Sequence, residues 1–562
     1  MADVGRSDRL TVPAATIGSE SGGGPRPSVP AVRHRPAILP LAFLAVLWLA
    51  AALLVQPWGE FPLNDDWDYA KSARALAERG RFELSPEARV TLFAQAAWGA
   101  LFSLPFGWSF VALRLSTVTA GLAGTFAVYG LARLAGASRR LATVAALTLA
   151  VCPLYLGLAF TFMTDVPNTA ALALGLLALG WWLTRGGWAA LLAGTALSAV
   201  AVLIRPTGLA LPAAFVFAAL LRRPHPRDIV AALLPLAAAL AVLAAWQVWA
   251  IAAGLGGLAN LQAGELRQAL ERGPLAVLAE SARNSGIAAL YLGLFLLPLS
   301  LAGGALGGRG GRLAAAVGGL AALTLALAGA RLPLAENVLY DIGLGPLTLR
   351  DAFFGDPPAG TRAPAWLPFT ATVAAGMGAG AAAPLVWRGG RCLVLGGRRP
   401  LLALLTATVL FSFAPLAVAG FLDRYLIALI PPLVALGVAG SRRVGASGLA
   451  AAVLVLLVFG AFGVAATRDY FEWNRARWTV LERLQERGVS PAEIDGGFEF
   501  NGWFTYDPAY RRDPAKSWWW VVSDRYVAAF GPLPGYRVVD RERFQRLVPP
   551  GEGAVVILER EQ

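Results

Sequence analysis

The sequence predicts an α-helical polytopic membrane protein of about thirteen transmembrane helices with a small C-terminal α/β domain on the exported side. Three observations carry that prediction. Hydrophobic residues make up 57% of the 562 and charged residues only 15%, and the mean hydropathy is +0.59. Apolar runs of bilayer length recur as far as residue 466, which is the mark of a chain that crosses a membrane many times. From Thr467 the composition turns to that of a soluble protein. Lipid admits only helices or closed barrels, and these runs are too long and too continuously apolar to be barrel strands.

Residues 1–36 are rich in Gly, Pro, Ser and Arg without a periodic apolar face, so they read as a disordered cytoplasmic tail. The first apolar run starts near Ala37 and is too long for a signal-peptide core, so it is expected to be an uncleaved first span. The spans then fall at 37–56, 110–133, 141–159, 168–184, 188–204, 207–221, 229–253, 286–306, 313–330, 367–387, 400–420, 425–440 and 446–466. With the N-terminus cytoplasmic, the inward loops are RLAGASRR, TRGG, RRPHPRD, RGGR, WRGGRCLVLGGRRP and SRR, which are dense in arginine and hold one acid, Asp228. The opposite loops, 57–109, 160–167, 254–285, 331–366 and 421–424, hold the acids. That is a positive-inside pattern, and it places the protein in the cell (inner) membrane with its C-terminal domain, 467–562, extracytoplasmic. In that domain RDYFEWNRARWTVLERLQERG reads as an amphipathic helix closed by Gly488, and WWWVVS, YRVVD and AVVILER read as strands.

The net charge of +13 does not indicate nucleic acid, because the arginines lie in short clusters between apolar runs rather than on a basic face with interleaved aromatics. Cys152 and Cys392 form no metal spacing, and His34 and His225 lie in basic, Pro-rich flanks. Chemistry, if present, is left to carboxylates.

Carboxylates gather in FPLNDDWDYAKSARALAERG, residues 61–80, directly after the first span. The stretch reads as an amphipathic surface helix with Asn64 or Asp65 as cap and Gly80 beyond its end. One cap needs one acid, and Asp65, Asp66 and Asp68 exceed that need. A carboxylate at the membrane face is suited to general-base work through partial desolvation. Asp165 is the single acid of the loop TFMTDVP, on the same side; it is either the cap of the next helix, with Thr164 as the other choice, or a second site acid. Asp423, Arg424 and Tyr425 open a late span as either an interfacial anchor or an arginine held for a phosphate, which the planar guanidinium fork suits. Arg205, in VLIRPTG, lies between two apolar runs on the acid-bearing side and needs an anionic partner there. The loop at 331–366, with Glu336, Asp341, Arg350 and Asp351, reads as a lid or as a passive connector. No phosphate-binding glycine loop, nucleophile elbow or zinc spacing occurs.

These motifs together resemble the GT-C-fold glycosyltransferases that use lipid-linked sugars, in particular the protein O-mannosyltransferase and lipid A aminoarabinose transferase type. The resemblance rests on Asp65-Asp66-Trp67-Asp68-Tyr69-Ala70 after the first span, TFMTDVP after the third, the Arg-Pro of LIRPTG, and DRYLIALIPP near the end. It covers roughly residues 40–440. It implies that Asp65 is the catalytic acid/base residue and Asp165 the second acid, with Asp66 in the place of the usual glutamate. Arg424 and Tyr425, with Arg205, Asp68 and Tyr69, would meet the donor. The Lys-Pro-Pro that follows the first motif in aminoarabinose transferases has no counterpart, and the Trp-Trp-Asp-Tyr-Gly motif of oligosaccharyltransferases is absent.

The expected activity is transfer of a sugar from a polyprenyl-phosphate donor to an envelope acceptor hydroxyl of a protein, lipid or polysaccharide, with inversion and an aspartate base. Two arrangements for the leaving phosphate stay open. A divalent cation (Mg, Mn or Zn) could sit on Asp65, Asp66 and Asp165, or arginines alone could neutralise it. A lipid-linked-sugar flippase or other transporter is the rival from another class; it needs mid-bilayer ionisable residues or repeated halves, neither of which the sequence displays. A non-catalytic envelope assembly protein is the third reading.

Overall fold

Apolar runs end in this chain at capping residues, prolines and glycines, and the helices begin and stop accordingly. The structure, a computed structural model, describes residues 38–221, 226–255, 267–268, 271–335, 338–344, 346–354, 358, 361–442, 445–513, 516 and 519–561. The tail expected at 1–36, His34, His225, Glu336 and residues 256–266 lie outside the described residues. Pro40–Gln562 form one compact unit; of the segment before it, Ile38 and Leu39 are described, and both are helical.

α1 (Ile38–Val55) leads into the first long connection, which holds α2 (Asp66–Arg79) and α3 (Phe93–Ser103) ahead of α4 (Phe110–Leu134). α2 ends where Gly80 adopts φ +64, a left-handed conformation that glycine takes without steric cost. The Ser109 and Ser138 side chains accept from the N–H groups of Ala112 and Leu141 and start α4 and α5 (Arg139–Ala150). Pro153 opens α6 (Pro153–Ala159), and α5 and α6 meet at a 66° bend within the run expected at 141–159.

There follow α7 (Asp165–Arg185), α8 (Trp188–Ile204), α9 (Ala210–Leu220), α10 (Pro226–Ala252), α11 (Pro274–Phe295), α12 (Leu297–Ala302) and α13 (Arg309–Leu327). Then come the short α14 (Arg350–Phe354), α15 (Trp366–Leu395), α16 (Arg399–Ala419) and α17 (Ile430–Ala439). All thirteen expected runs overlap helix. Among the described residues eight helices are long and apolar enough to cross a membrane, or nine if the bent pair counts as one span. The remainder are shorter or broken: α8 and α9 are short, the run at 286–306 is divided between α11 and α12, and that at 425–440 starts as a 3-10 turn.

α15 packs against α13 and α11 through glycines. A Cβ on Gly376 would stand 2.3 Å from the Gly318 carbonyl oxygen, and one on Gly378 would stand 2.1 Å from that of Gly293. Small residues let apolar helices approach where lipid supplies no hydrophobic force between them.

α18 (Ala446–Glu486) is a single helix of 41 residues. The sequence places a domain boundary at 466/467, whereas the helix continues through it without a break. Its first half is apolar, and its second half buries Asp469, Asn474 and Arg477. β1 (Ile494–Asp495), α19 (Phe498–Thr505), β2 (Tyr526–Ala529), β3 (Tyr536–Leu547) and β4 (Pro550–Arg560) complete the chain. The sheet order is β1-β2-β4-β3, with β1 parallel to β2 and the other pairs antiparallel. Val527, Ala529, Val556 and Leu558 form a small core on it. The Asp469 carboxylate accepts the N–H groups of Leu547 and Val548 at 2.7–2.9 Å and so fastens the end of β3 to α18.

The strand expected in WWWVVS is not formed in its described part: Trp519–Ser523 carry no strand. Trp520 takes φ +51, outside the extended region. Its ring packs at 5.2 Å from Trp67 and 5.1 Å from Tyr506, and that of Trp519 at 5.7 Å from Phe498. Aromatic packing overrides the β propensity of this run.

Candidate active site

Four helix ends meet at the acid-bearing end of the molecule. The loop after α1 brings Asn64 and Asp65, the start of α7 brings Thr164 and Asp165, the end of α8 brings Arg205, and the turn before α17 brings Arg424 and Tyr425.

Arg424 is the hub. Its Nη2 donates to Asp65 Oδ2 at 2.8 Å and its Nη1 to Asn64 Oδ1 at 3.2 Å, and its Nε lies 3.9 Å from Asp165 Oδ2. Arg205 forms the second half. Its Nη2 is 3.0 Å from Asp165 Oδ1 and its Nε donates to Thr164 Oγ1 at 2.6 Å. The Tyr425 ring stands 4.9 Å from the Arg205 guanidinium and 5.7 Å from that of Arg424, which is cation–π range for both. Two carboxylates and two guanidiniums thus balance, as a group withdrawn from water requires.

The two acids differ in access. The Asp65 side chain is 28% exposed, and that of Asp165 is 1% exposed. Asp165 is therefore a buried counter-ion, close to Arg205 at 3.0 Å and more distant from Arg424 at 3.9 Å, and Asp65 is the more accessible carboxylate. Neither serves as a helix cap through its side chain: Asp65 and Thr164 stand at the N-cap positions of α2 and α7 without side-chain capping bonds. Tyr69 is buried beside the cluster; burial pushes its phenol well above the ordinary value, with Asp65, Arg424, Arg205 and Asp165 as the charges that act on it.

Two of the candidate acids lie apart from the arginines. Asp66 is fully buried, and its oxygens accept the backbone N–H groups of Leu63 and, at 3.1 Å, Phe162. It ties the loop before α2 to the loop before α7, which positions Asp65 against Asp165. Burial pushes its carboxyl up to about 8, against the opposing pull of Arg114 and the two backbone donors. Asp68 accepts from the Ser85 hydroxyl, and burial raises it to about 6. Among the described residues it forms no ion pair with Arg205 or Arg424.

The three aspartates do not converge as a cation site. Asp65 and Asp165 each face a guanidinium, and Asp66 faces backbone N–H groups. Among the described residues no group of three or more His, Cys, Asp or Glu is placed to hold a metal.

Sequence inspection passes over several residues that hold this geometry. Arg114, buried within α4, donates to the carbonyl oxygens of Pro57, Gly59 and Phe61 and fixes the connection that leads to Asp65. An arginine inside an apolar run was the available signal. Asn64, which the sequence offers as a helix cap, instead accepts from both Arg424 and the Asp65 N–H, the latter at 2.9 Å. Glu499 of α19 accepts the Asn64 N–H at 3.0 Å and pairs with Arg477 of α18 at 2.9 Å. Nothing in the sequence links positions so far apart. In the 331–366 loop, Asp351 accepts the N–H groups of Phe530 and Gly531 at 2.9 and 3.0 Å, and Arg350 meets Asp524 at 2.7 Å. This loop is bonded to the C-terminal segment.

Residues 93–250 match the family model described as dolichyl-phosphate-mannose-protein mannosyltransferase. The match spans a little over a quarter of the chain; it takes in Asp165 and Arg205 and leaves out Asp65 and Arg424. No curated protein matches the chain. Among solved structures, ArnT from Cupriavidus metallidurans bound to undecaprenyl phosphate aligns with a TM-score of 0.41 and 14% identity, over 80% of this chain and 72% of that one. The same protein in its apo state aligns with a TM-score of 0.35 and 17% identity, over 82% and 81%. The Archaeoglobus fulgidus oligosaccharyltransferase tethered with an acceptor peptide gives 0.38 and 15%, over 76% of this chain and 55% of that one.

Proposed function

We propose that this chain is a membrane glycosyltransferase that moves a sugar from a polyprenyl-phosphate donor to an acceptor hydroxyl, with inversion, on the extracytoplasmic side. The observation that carries the proposal is the cluster of Asp65, Asp165, Arg205 and Arg424, in which one carboxylate is accessible and two arginines are held by a buried one. The family match over residues 93–250 supports a donor in which the sugar is linked to a lipid phosphate.

The chemistry follows from charge and geometry. The donor phosphate competes with Asp65 for the Arg424 fork, and Arg205 adds a second cation beside it. Once displaced from Arg424, the Asp65 carboxylate accepts the hydrogen bond of the incoming hydroxyl. As the acceptor oxygen attacks the anomeric carbon, its proton passes to Asp65. The bond between that carbon and the phosphate oxygen breaks from the opposite face, and its electron pair leaves with the polyprenyl phosphate. A positioned base contributes about 10²–10⁴ in rate, and each fixed donor to the developing charge about 10²–10³. Asp165 keeps the arginines aimed while it stays shielded from the acceptor.

The test is reconstitution of the protein with a panel of radiolabelled polyprenyl-phosphate sugars and cell-envelope extract. Label leaving the prenyl lipid supports the proposal. Label that crosses the bilayer on an intact lipid, or stays on its lipid with every donor, contradicts it.

A further inference from the structure

We infer that Glu499 is a positioning residue for Asp65, so that the segment after residue 466 is part of the catalytic unit rather than a separate module. This deepens the glycosyltransferase proposal and rests on it for the identity of the reaction. Glu499 and Arg477 are both completely buried, 2.9 Å apart. Arg477 stands over the rings of Trp473 and Trp478 at 5.4 and 5.7 Å, and among the described residues its Nε and Nη2 have no hydrogen-bond partner. The remaining Glu499 oxygen, Oε1, reaches across 435 positions of sequence to accept the Asn64 N–H at 3.0 Å.

Asn64 stands at φ +56, a left-handed conformation that asparagine tolerates better than most non-glycine residues. The hydrogen bond to Glu499 holds its backbone from the N–H side. With its backbone fixed, Asn64 aims one side-chain oxygen at two donors, the Asp65 N–H at 2.9 Å and Arg424 Nη1 at 3.2 Å. The path from α18 to the site is therefore Arg477, Glu499, Asn64, and then both Asp65 and Arg424. A hydrogen bond to the backbone of the residue before the base constrains the direction of its carboxylate and touches no substrate. Misplacing a reacting group by about 1 Å can lower the rate about 10²-fold.

The test compares two double variants of the full-length protein, Arg477→Met with Glu499→Gln and Arg477→Met with Glu499→Met. Both remove the buried charges together, which avoids leaving one uncompensated. The Gln variant keeps a carbonyl oxygen for the Asn64 N–H, and the Met variant does not. Hydrogen exchange across residues 61–69 reads the contact without turnover, and sugar release gives kcat and donor KM. The inference expects the Gln variant to stay near wild type in both. It expects the Met variant to exchange the Asn64 amide about tenfold faster and to lose about 10²-fold in kcat with KM little changed. Equal exchange and equal kcat in the two variants, or failure of both to fold, would assign the ion pair a purely structural role and overturn the inference. If exchange differs as expected but wild type transfers no sugar from any donor, the glycosyltransferase proposal fails and the hold of Glu499 on Asn64 stands.

Discussion

Arg424 donates to Asp65 at 2.8 Å although 359 positions separate them in sequence. This contact closes the site: it joins the loop after the first helix to the turn before α17, and through Asp165 it joins both to Arg205. The pairing sets two carboxylates against two guanidiniums, so in the proposed reaction a donor phosphate enters by exchange with a carboxylate rather than by addition to bare cations.

Arg424→Lys keeps the charge and loses the fork that spans Asn64 and Asp65. Transfer is expected to fall about 10²–10³-fold with folding intact. Steady-state kinetics over a range of donor concentrations check this, and a variant within a few-fold of wild type would remove Arg424 from the phosphate site.

Arg205→Ala takes the nearer cation from Asp165, whose side chain is 1% exposed, and leaves it Arg424 at 3.9 Å. Breaking a buried pair from one side costs about 3–5 kcal/mol. The expected outcome is a lowered unfolding temperature in detergent that Asp165→Asn, added in the same chain, partly restores. Equal melting of wild type and Arg205→Ala would show the pair to be solvated.

Asp66 gives a pH signature. Its folded carboxyl is raised to about 8 from 3.8, so between these values the folded state holds a proton that the unfolded state has released. Stability from this group is thus highest at low pH, falls as pH rises from about 4 to about 8, and levels above that. Asp66→Asn removes this slope, and an unsatisfied backbone N–H costs about 1–3 kcal/mol. Melting temperatures of both proteins across that pH range provide the check; parallel curves would contradict the assignment.

Gly378→Ala tests the helix packing. The added Cβ would stand 2.1 Å from the Gly293 carbonyl oxygen, so α15 and α11 have to separate. Overpacking of this kind costs about 1–3 kcal/mol. Unfolding measured in detergent should show the loss, whereas Gly390→Ala, with its nearest neighbour at 3.5 Å, should leave stability near wild type.

The candidate cluster was legible in the sequence where charge breaks an apolar background. Asp65, Asp165, Arg205 and Arg424 each stand at the edge of an apolar run, and the cost of that placement demands partners. The structure supplies them from one another. What the sequence could not convey is which acid faces which group. Asp66 adjoins Asp65, yet one step along the start of α2 turns its carboxylate onto backbone N–H groups. Glu499 lies in a stretch of soluble composition with no signal of its own, and only its contact with the Asn64 N–H reveals its partner. The helices were legible from run length and flanking turns, whereas α18 was divided at residue 466 because a composition change need not interrupt a helix. WWWVVS misled because tryptophans satisfy a strand pattern and an aromatic cluster equally well.

The most direct measurement is transfer of labelled sugar from its polyprenyl phosphate by wild type, Asp65→Asn and Asp68→Asn in the same proteoliposomes. If Asp65 is the base, Asp65→Asn retains its fold and loses about 10²–10⁴ in rate, while Asp68→Asn, which bonds to Ser85 away from the arginines, stays within a few-fold of wild type. Near-normal transfer by Asp65→Asn would contradict the account at its centre.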